Sequence, residues 1–211
     1  FSDENAGVMA RAINGDLWLS NYSSSSIEAR RSADNGQSWS SVVTIKSGIS
    51  DGLLDAVTFS SNGNDYVGVG YGENTGGGSE FGFLLHRDGD ADGNWTDETS
   101  QMPALVDADS DDHVALAVSH NNEVDFTYKT KSQSSSGVGI GLYKRSASGS
   151  WQNFKVSEGG GWTRPAVIVD ASNDEVYVFW TEESSPERGQ YRKAQIGNES
   201  DLQTATIVDL F

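Results

Sequence analysis

Ser32-Ala33-Asp34-Asn35-Gly36-Gln37-Ser38-Trp39 is the stretch that decides how this chain folds. Arg30 and Arg31 end an apparent strand before it, and Val42, Val43 and Ile45 belong to another after it. Between two strands the octapeptide reads as a hairpin turn. Asn-Gly supplies the positive φ that a tight turn needs. Asp34 can accept hydrogen bonds from the backbone N–H groups of its own turn. Trp39 is large enough to fold back and seal the hairpin against its neighbour.

Working outward, the unit recurs. Asp92-Gly93-Asn94-Trp95 and Ser148-Gly149-Ser150-Trp151 are weaker copies, and Ile196-Gly197-Asn198-Glu199 is a degenerate one. Each follows a strand ending in Arg30-Arg31, His86-Arg87, Lys144-Arg145 or Arg192-Lys193. These cations read as an outward stripe pairing with turn carboxylates. Upstream of each copy lies a second hairpin: Val8–Ile13 with Leu17–Tyr22, Val57–Ser60 with Tyr66–Tyr71, Val114–Val118 with Val124–Tyr128, and Val167–Val169 with Val176–Trp180. Apolar residues alternate or run continuously in these segments, as in sheets packed on both faces, and helical periodicity is absent.

The repeat is therefore about 50 residues and four strands, the size of a propeller blade. The pattern predicts an all-β fold, a β-propeller of four-stranded antiparallel blades. Blades at about 7–54, 55–111, 112–162 and 163–211 form one propeller domain or part of a larger ring. The blade count of the closed ring is left open. An unclosed ring exposes apolar faces and strand edges. A partner surface is then expected, through self-association or the remaining blades of a longer chain. The spacing Ser-x-Asp-x-Gly-x-Ser-Trp in Ser32–Trp39 resembles the Asp-box of sialidase-like β-propellers. In that family the box is a structural device, so the resemblance implies fold rather than chemistry.

The 211 residues include no cysteine, which excludes disulfides and Cys-metal sites. A net charge of −17 argues against nucleic acid and anionic membrane as partners. No apolar run approaches the ~20 residues of a membrane span. No signal peptide precedes Phe1-Ser2-Asp3-Glu4, so a processed or truncated N-terminus is expected.

Propeller geometry sorts residues by rim. The start of strand one and the end of strand two share one rim, and strand one lines the axis. Asp3, Glu4, Asp55, Asp112, His113, Thr163 and Arg164 should therefore ring the channel mouth, joined by Tyr22, Tyr71, Tyr128, Lys129, Trp180 and Glu182. Aromatic platforms beside charged groups are what a glycan site uses. Asp55, Tyr71, Trp180 and Glu182 are the substrate-binding candidates. His113 follows Asp109-Ser110-Asp111-Asp112, whose carboxylates favour its protonated form. It is a candidate acid, base or substrate contact, against the alternative of a satisfied hydrogen-bonding histidine. Arg164, in Thr-Arg-Pro, is a candidate clamp for a substrate carboxylate, against a structural ion pair. Lys129 is a second such cation, and Tyr143 lies further from the axis.

Asp88-Gly89-Asp90-Ala91-Asp92-Gly93 is written like an oxygen-only calcium loop, making Asp88, Asp90 and Asp92 candidate ligands of a structural Ca2+. Glu98 falls one residue short of the EF-hand closing position, and the competing reading is a solvated acidic turn. No other cofactor is required.

Beyond the Asp-box, Asp111–Val118, Tyr128–Thr130, Thr163–Pro165 and Val176–Phe179 look like secreted marine bacterial propellers similar to ulvan lyases and other polysaccharide-active propellers. The resemblance implies an extracellular bacterial protein acting on anionic polysaccharide by β-elimination at a uronate. Arg164 or Lys129 would neutralise the carboxylate, His113 would take the C5 proton, and Tyr128 or Tyr143 would protonate the leaving oxygen. A sialidase needs three arginines on its substrate carboxylate, and Arg11 in Ala-Arg-Ala departs from the usual Arg-Ile-Pro. Sialidase activity is not expected. The rival readings are a non-catalytic glycan-binding propeller and a structural assembly module.

Overall fold

The computed structural model describes residues 7–49, 52–73, 81–105, 110–131, 137–183 and 186–210, with the side chain of Asp112 also outside the description. The channel-mouth candidates Asp3 and Glu4 therefore lie outside the described residues.

Among the described residues sixteen strands form four antiparallel sheets, each a simple meander. The first blade is β1 (Val8–Arg11), β2 (Leu17–Ser23), β3 (Ser26–Ser32) and β4 (Val43–Ser47). The second is β5 (Leu54–Ser61), β6 (Asn64–Gly72), β7 (Phe81–Arg87) and β8 (Trp95–Asp97). The third is β9 (Ser110–Val118), β10 (Val124–Thr130), β11 (Val138–Arg145) and β12 (Trp151–Glu158). The fourth is β13 (Trp162–Asp170), β14 (Glu175–Glu182), β15 (Arg188–Gln195) and β16 (Val208–Asp209). Short 3-10 turns follow β8 and β15. None is long and apolar enough to cross a membrane.

The first strands pack in succession, β1 on β5, β5 on β9 and β9 on β13, which sets them on the inside of the arc. This is an all-β propeller of four blades. Among the described residues no packing of that extent joins β13 to β1. The outer face of the fourth blade carries Ile168, 55% exposed, and the ring cluster Tyr177, Phe179 and Tyr191. Met9 is similarly exposed on β1.

The octapeptide folds as its residue types dictate. Asn35 and Gly36 take φ of 56° and 86°. One Asp34 oxygen accepts from the Ser38 amide at 2.8 Å and from the Ser32 hydroxyl at 2.8 Å, and the other accepts from the Ser38 hydroxyl. These hydrogen bonds, Ser38 foremost, hold the Asp34 carboxyl down at about 2. The weaker copies also lie between strands three and four of their blades.

The cores lie between blades. Phe81, Phe83 and Phe59 of the second blade meet Leu116, Phe126 and Tyr128 of the third. Ile140, Leu142 and Val156 of the third meet Val176, Val178 and Trp180 of the fourth. Glycine makes room for the largest rings. A Cβ on Gly141, the cross-strand partner of Tyr128, would fall 2.2 Å from the phenol ring, and one on Gly82 would fall 2.1 Å from that of Tyr71.

Three of the basic residues before the turns, His86, Lys144 and Arg145, point inward, while Arg30, Arg87 and Lys193 are exposed. His86 is buried between Trp18 and Trp95 at ring distances of 4.3 and 5.3 Å. Arg145 and Lys144 are also buried. Several of these cations pair with carboxylates, both within a blade and across to the next. Arg31 reaches Asp92 of the second blade at 2.7 Å, and Arg145 reaches back to Glu98. Lys144 bridges Glu123 of its own blade and Glu199 of the fourth. A cation between two packed sheets is stabilised by partners the linear sequence keeps far apart.

Candidate functional site

On the rim bearing the starts of strand one and the ends of strand two, a pocket of about 310 Å³ opens between the third and fourth blades. Asp111, Lys129 and Lys131 line it from the third blade, and Gly159–Gly161, Trp162 and Glu183 from the fourth-blade side. Asp111 sits between two basic groups. The Lys129 ammonium is 3.2 Å from one of its oxygens, and His113 Nδ1 is 4.0 Å from the other. The three side chains are 14–24% exposed, so they meet in partly desolvated surroundings.

Trp162 is held rigidly. Its indole N–H donates to the Glu158 carbonyl at 2.7 Å, and its ring lies over Gly139, where a Cβ would fall 2.4 Å from it. A fixed indole along a polar pocket is an aromatic platform.

The strands around this pocket break register. β9 and β10 shift between Tyr128 and Thr130, at Lys129. β11 and β12 shift between Val138 and Ile140, at Gly139. β13 and β14 shift between Thr163 and Ala166, at Arg164-Pro165. At the corresponding rim of the second blade, β5, β6 and β7 pair without interruption. Bulges re-aim side chains, and three of them converge here.

The sequence-derived candidates separate into two groups. His113, Lys129 and Arg164 gather at this rim, and the Arg164 guanidinium is 3.8 Å from the pocket carboxylate Glu183. Glu182 ends β14 beside Glu183, opposite Trp162 across the ladder. The aromatic candidates do not join them. Tyr128 is buried in the core and donates to Asn153 Oδ1 at 2.6 Å. Tyr143 is buried against it and donates to the Pro103 carbonyl. Burial pushes both phenols well above their ordinary range. Tyr71 and Trp180 are core residues too, the indole N–H of Trp180 donating to Gln190. Strand parity is the cause: Lys129 faces the pocket, so adjacent Tyr128 faces the second blade.

Asp55 stitches blades together. It accepts from the Leu116 amide of β9 at 2.7 Å and from its neighbour Ala56 at 2.8 Å, while burial pushes its carboxyl up. The carboxylates of the candidate calcium loop turn apart. Asp88 accepts from the Asn14 amide, Asp90 from Asn94, and Asp92 from Arg31. Among the described residues no group of three His, Asp or Glu has metal-holding geometry.

Trp162, Lys131 and Glu183 are missing from the sequence-derived set. One signal for them was present: Gly159-Gly160-Gly161 directly before an aromatic at the start of a first strand.

No known protein family and no curated protein sequence matches the chain. Solved structures match its fold. It is similar to an α-L-arabinanase from Penicillium chrysogenum complexed with arabinobiose, at 12% identity and a TM-score of 0.62, over 100% of this chain and 67% of that one. It is similar to the α-L-arabinofuranosidase Arb93A from Fusarium graminearum in complex with an iminosugar inhibitor, at 12% identity and 0.64, over 99% and 67%. The polysaccharide lyase Uly1 matches at 11% identity and 0.50, over 97% of this chain and 48% of its own. At these identities the likeness establishes the fold.

Proposed function

We propose that this chain is a carbohydrate-active propeller of the extracellular space that recognises an anionic polysaccharide at the rim between its third and fourth blades. One observation carries the reading: an indole platform, two ammonium groups and two carboxylates converge in one open pocket around which the strands break register. Apolar sugar faces stack on Trp162, hydroxyls donate hydrogen bonds to Asp111 and Glu183, and Lys129 and Lys131 meet the charge. The fold neighbours complexed with arabinobiose and an iminosugar support a sugar as the ligand class.

A second reading, β-elimination at a uronate, is favoured by the position of His113. Its imidazole shares Asp111 with Lys129, which sets a candidate base beside a candidate carboxylate neutraliser. With Tyr128 and Tyr143 in the core, the leaving oxygen would draw its proton from solvent at the open rim.

Adding a polyuronate and following both binding and the ultraviolet absorbance of unsaturated uronate products separates the two. Trp162→Ala should weaken binding by about tenfold, the worth of one aromatic contact. His113→Ala should abolish product formation while binding persists. Binding without product in the parent chain leaves recognition alone. A parent chain that binds no anionic glycan, or a Trp162→Ala variant that binds as well as the parent, ends the proposal.

A further inference from the structure

Four charged side chains meet at the boundary of the third and fourth blades, on the rim opposite the pocket. Asp125 stands on β10 with Lys144 directly opposite it on β11. Glu123 precedes β10, and Glu199 opens the 3-10 turn Glu199–Gln203 of the fourth blade. The Lys144 ammonium bonds both glutamates, Glu123 at 2.8 Å. Asp125 is fully buried, and neither of its oxygens has a hydrogen-bond partner among the described residues. One ammonium thus faces three carboxylates inside the seam.

The 3-10 turn works as a strap across that seam. It follows β15 and packs against β12 of the third blade. Its Leu202 is fully buried in the core the two blades share. The Arg192 guanidinium of β15 donates to the Leu202 and Gln203 carbonyls and to that of Val156 on β12. The Gly197 amide donates at 2.8 Å to the Glu199 oxygen that Lys144 also holds. On the exposed side of the same boundary, His120 lies 3.6 Å from Asp174.

A buried carboxylate with no donor is costly when ionised, so it holds a proton instead. Once that proton leaves, three negative charges share one positive charge. Lys144 is then drawn toward Asp125, and Glu199 loses part of its countercharge beside a new like charge. Asp125 and Lys144 are fixed in a strand ladder, whereas Glu199 sits on a five-residue turn. The turn is therefore the part that yields.

We infer that Asp125 is the trigger of a proton-operated strap: its ionisation releases the turn Glu199–Gln203 from Lys144 and opens the boundary between the third and fourth blades. The device does not depend on what the pocket binds.

Amide hydrogen exchange on the full chain tests it, read as protection factors so that the pH dependence of exchange chemistry is divided out. The amides of Asp201, Thr204 and Ala205, which donate to the Asn198 and Asp201 carbonyls, report strap opening. Val67 and Val69, fully buried on β6, report global unfolding. Burial foremost raises the Asp125 carboxyl to about 7 in the closed seam. Closure is therefore fully favoured below about pH 4 and weakens as pH rises to about 7. Strap protection should fall by about tenfold or more between pH 5 and pH 8, one pKa unit being worth tenfold. It should stay below that of β6 at both pH values. Asp125→Asn keeps the shape and removes the proton, so its strap protection should be equal at pH 5 and pH 8. Unchanged protection in the parent chain would overturn the inference. So would a fall that persists in Asp125→Asn, which would hand the trigger to another group of the seam such as His120. Strap amides that exchange no faster than those of β6 would make the opening global, and would overturn it too.

Discussion

Arg145→Ala is expected to destabilise the chain by about 3–5 kcal/mol, read as a lowered urea midpoint. Arg145 Nε and one terminal nitrogen each donate to a Glu98 oxygen at 2.8 Å, a bidentate pair joining the third blade to the second. Trp151 donates to the same carboxylate at 2.9 Å, and the guanidinium also reaches Ser61 and lies over the Phe59 ring. Both charged side chains are under 10% exposed. Water cannot replace the lost partner, so truncation leaves the Glu98 carboxylate buried with the indole N–H and no countercharge. A loss under about 1 kcal/mol, typical of a surface pair, would show that the two blades are not joined this way.

The second large effect is a stability gain. Asp125 is fully buried at the boundary of the third and fourth blades, and neither of its oxygens has a hydrogen-bond partner among the described residues. Lys144 lies opposite it on β11 but is engaged by Glu123 and Glu199. Burial, reinforced by those two carboxylates and opposed by Lys144, pushes the Asp125 carboxyl up to about 7. The folded chain therefore keeps a proton there that the unfolded chain releases near pH 4. Stability from this group is fully present below about pH 4 and is lost as pH rises to about 7, then stays level. Asp125→Asn removes that slope. Above pH 7 it should stabilise the chain by up to roughly 4 kcal/mol, the equivalent of about three pKa units. Equal stability of parent and variant at pH 5 and pH 8 would mean that Asp125 titrates normally.

Much of the fold was legible because turn chemistry and alternation are local. Asn35-Gly36 names its own conformation, and period-two apolar residues name the strands on either side. Which face a residue takes was less legible. Tyr128 and Lys129 are adjacent at the end of one strand, and the sequence offers both to the rim. The ring goes inward because Gly141 leaves space beneath it, and the ammonium goes outward to Asp111. The acidic run Asp88–Asp92 shows a related point. Neighbours in sequence need not converge, and here each carboxylate is taken by a different donor. Arg145 and Glu98 show the reverse case, a buried pair whose halves lie in different repeats. The bulge at Lys129 leaves no local signature, whereas Gly139 and Pro165 are the glycine and proline inside strands that mark the other two. The pocket they frame, with Trp162 at its side, became visible in the folded chain.

The most direct measurement is the structure of this chain with a uronate oligosaccharide bound. A sugar ring against Trp162, with its charged group among Lys129, Lys131 and Arg164, is the predicted result. An oligosaccharide bound on any other surface, with this pocket left to solvent at saturating ligand, would contradict it.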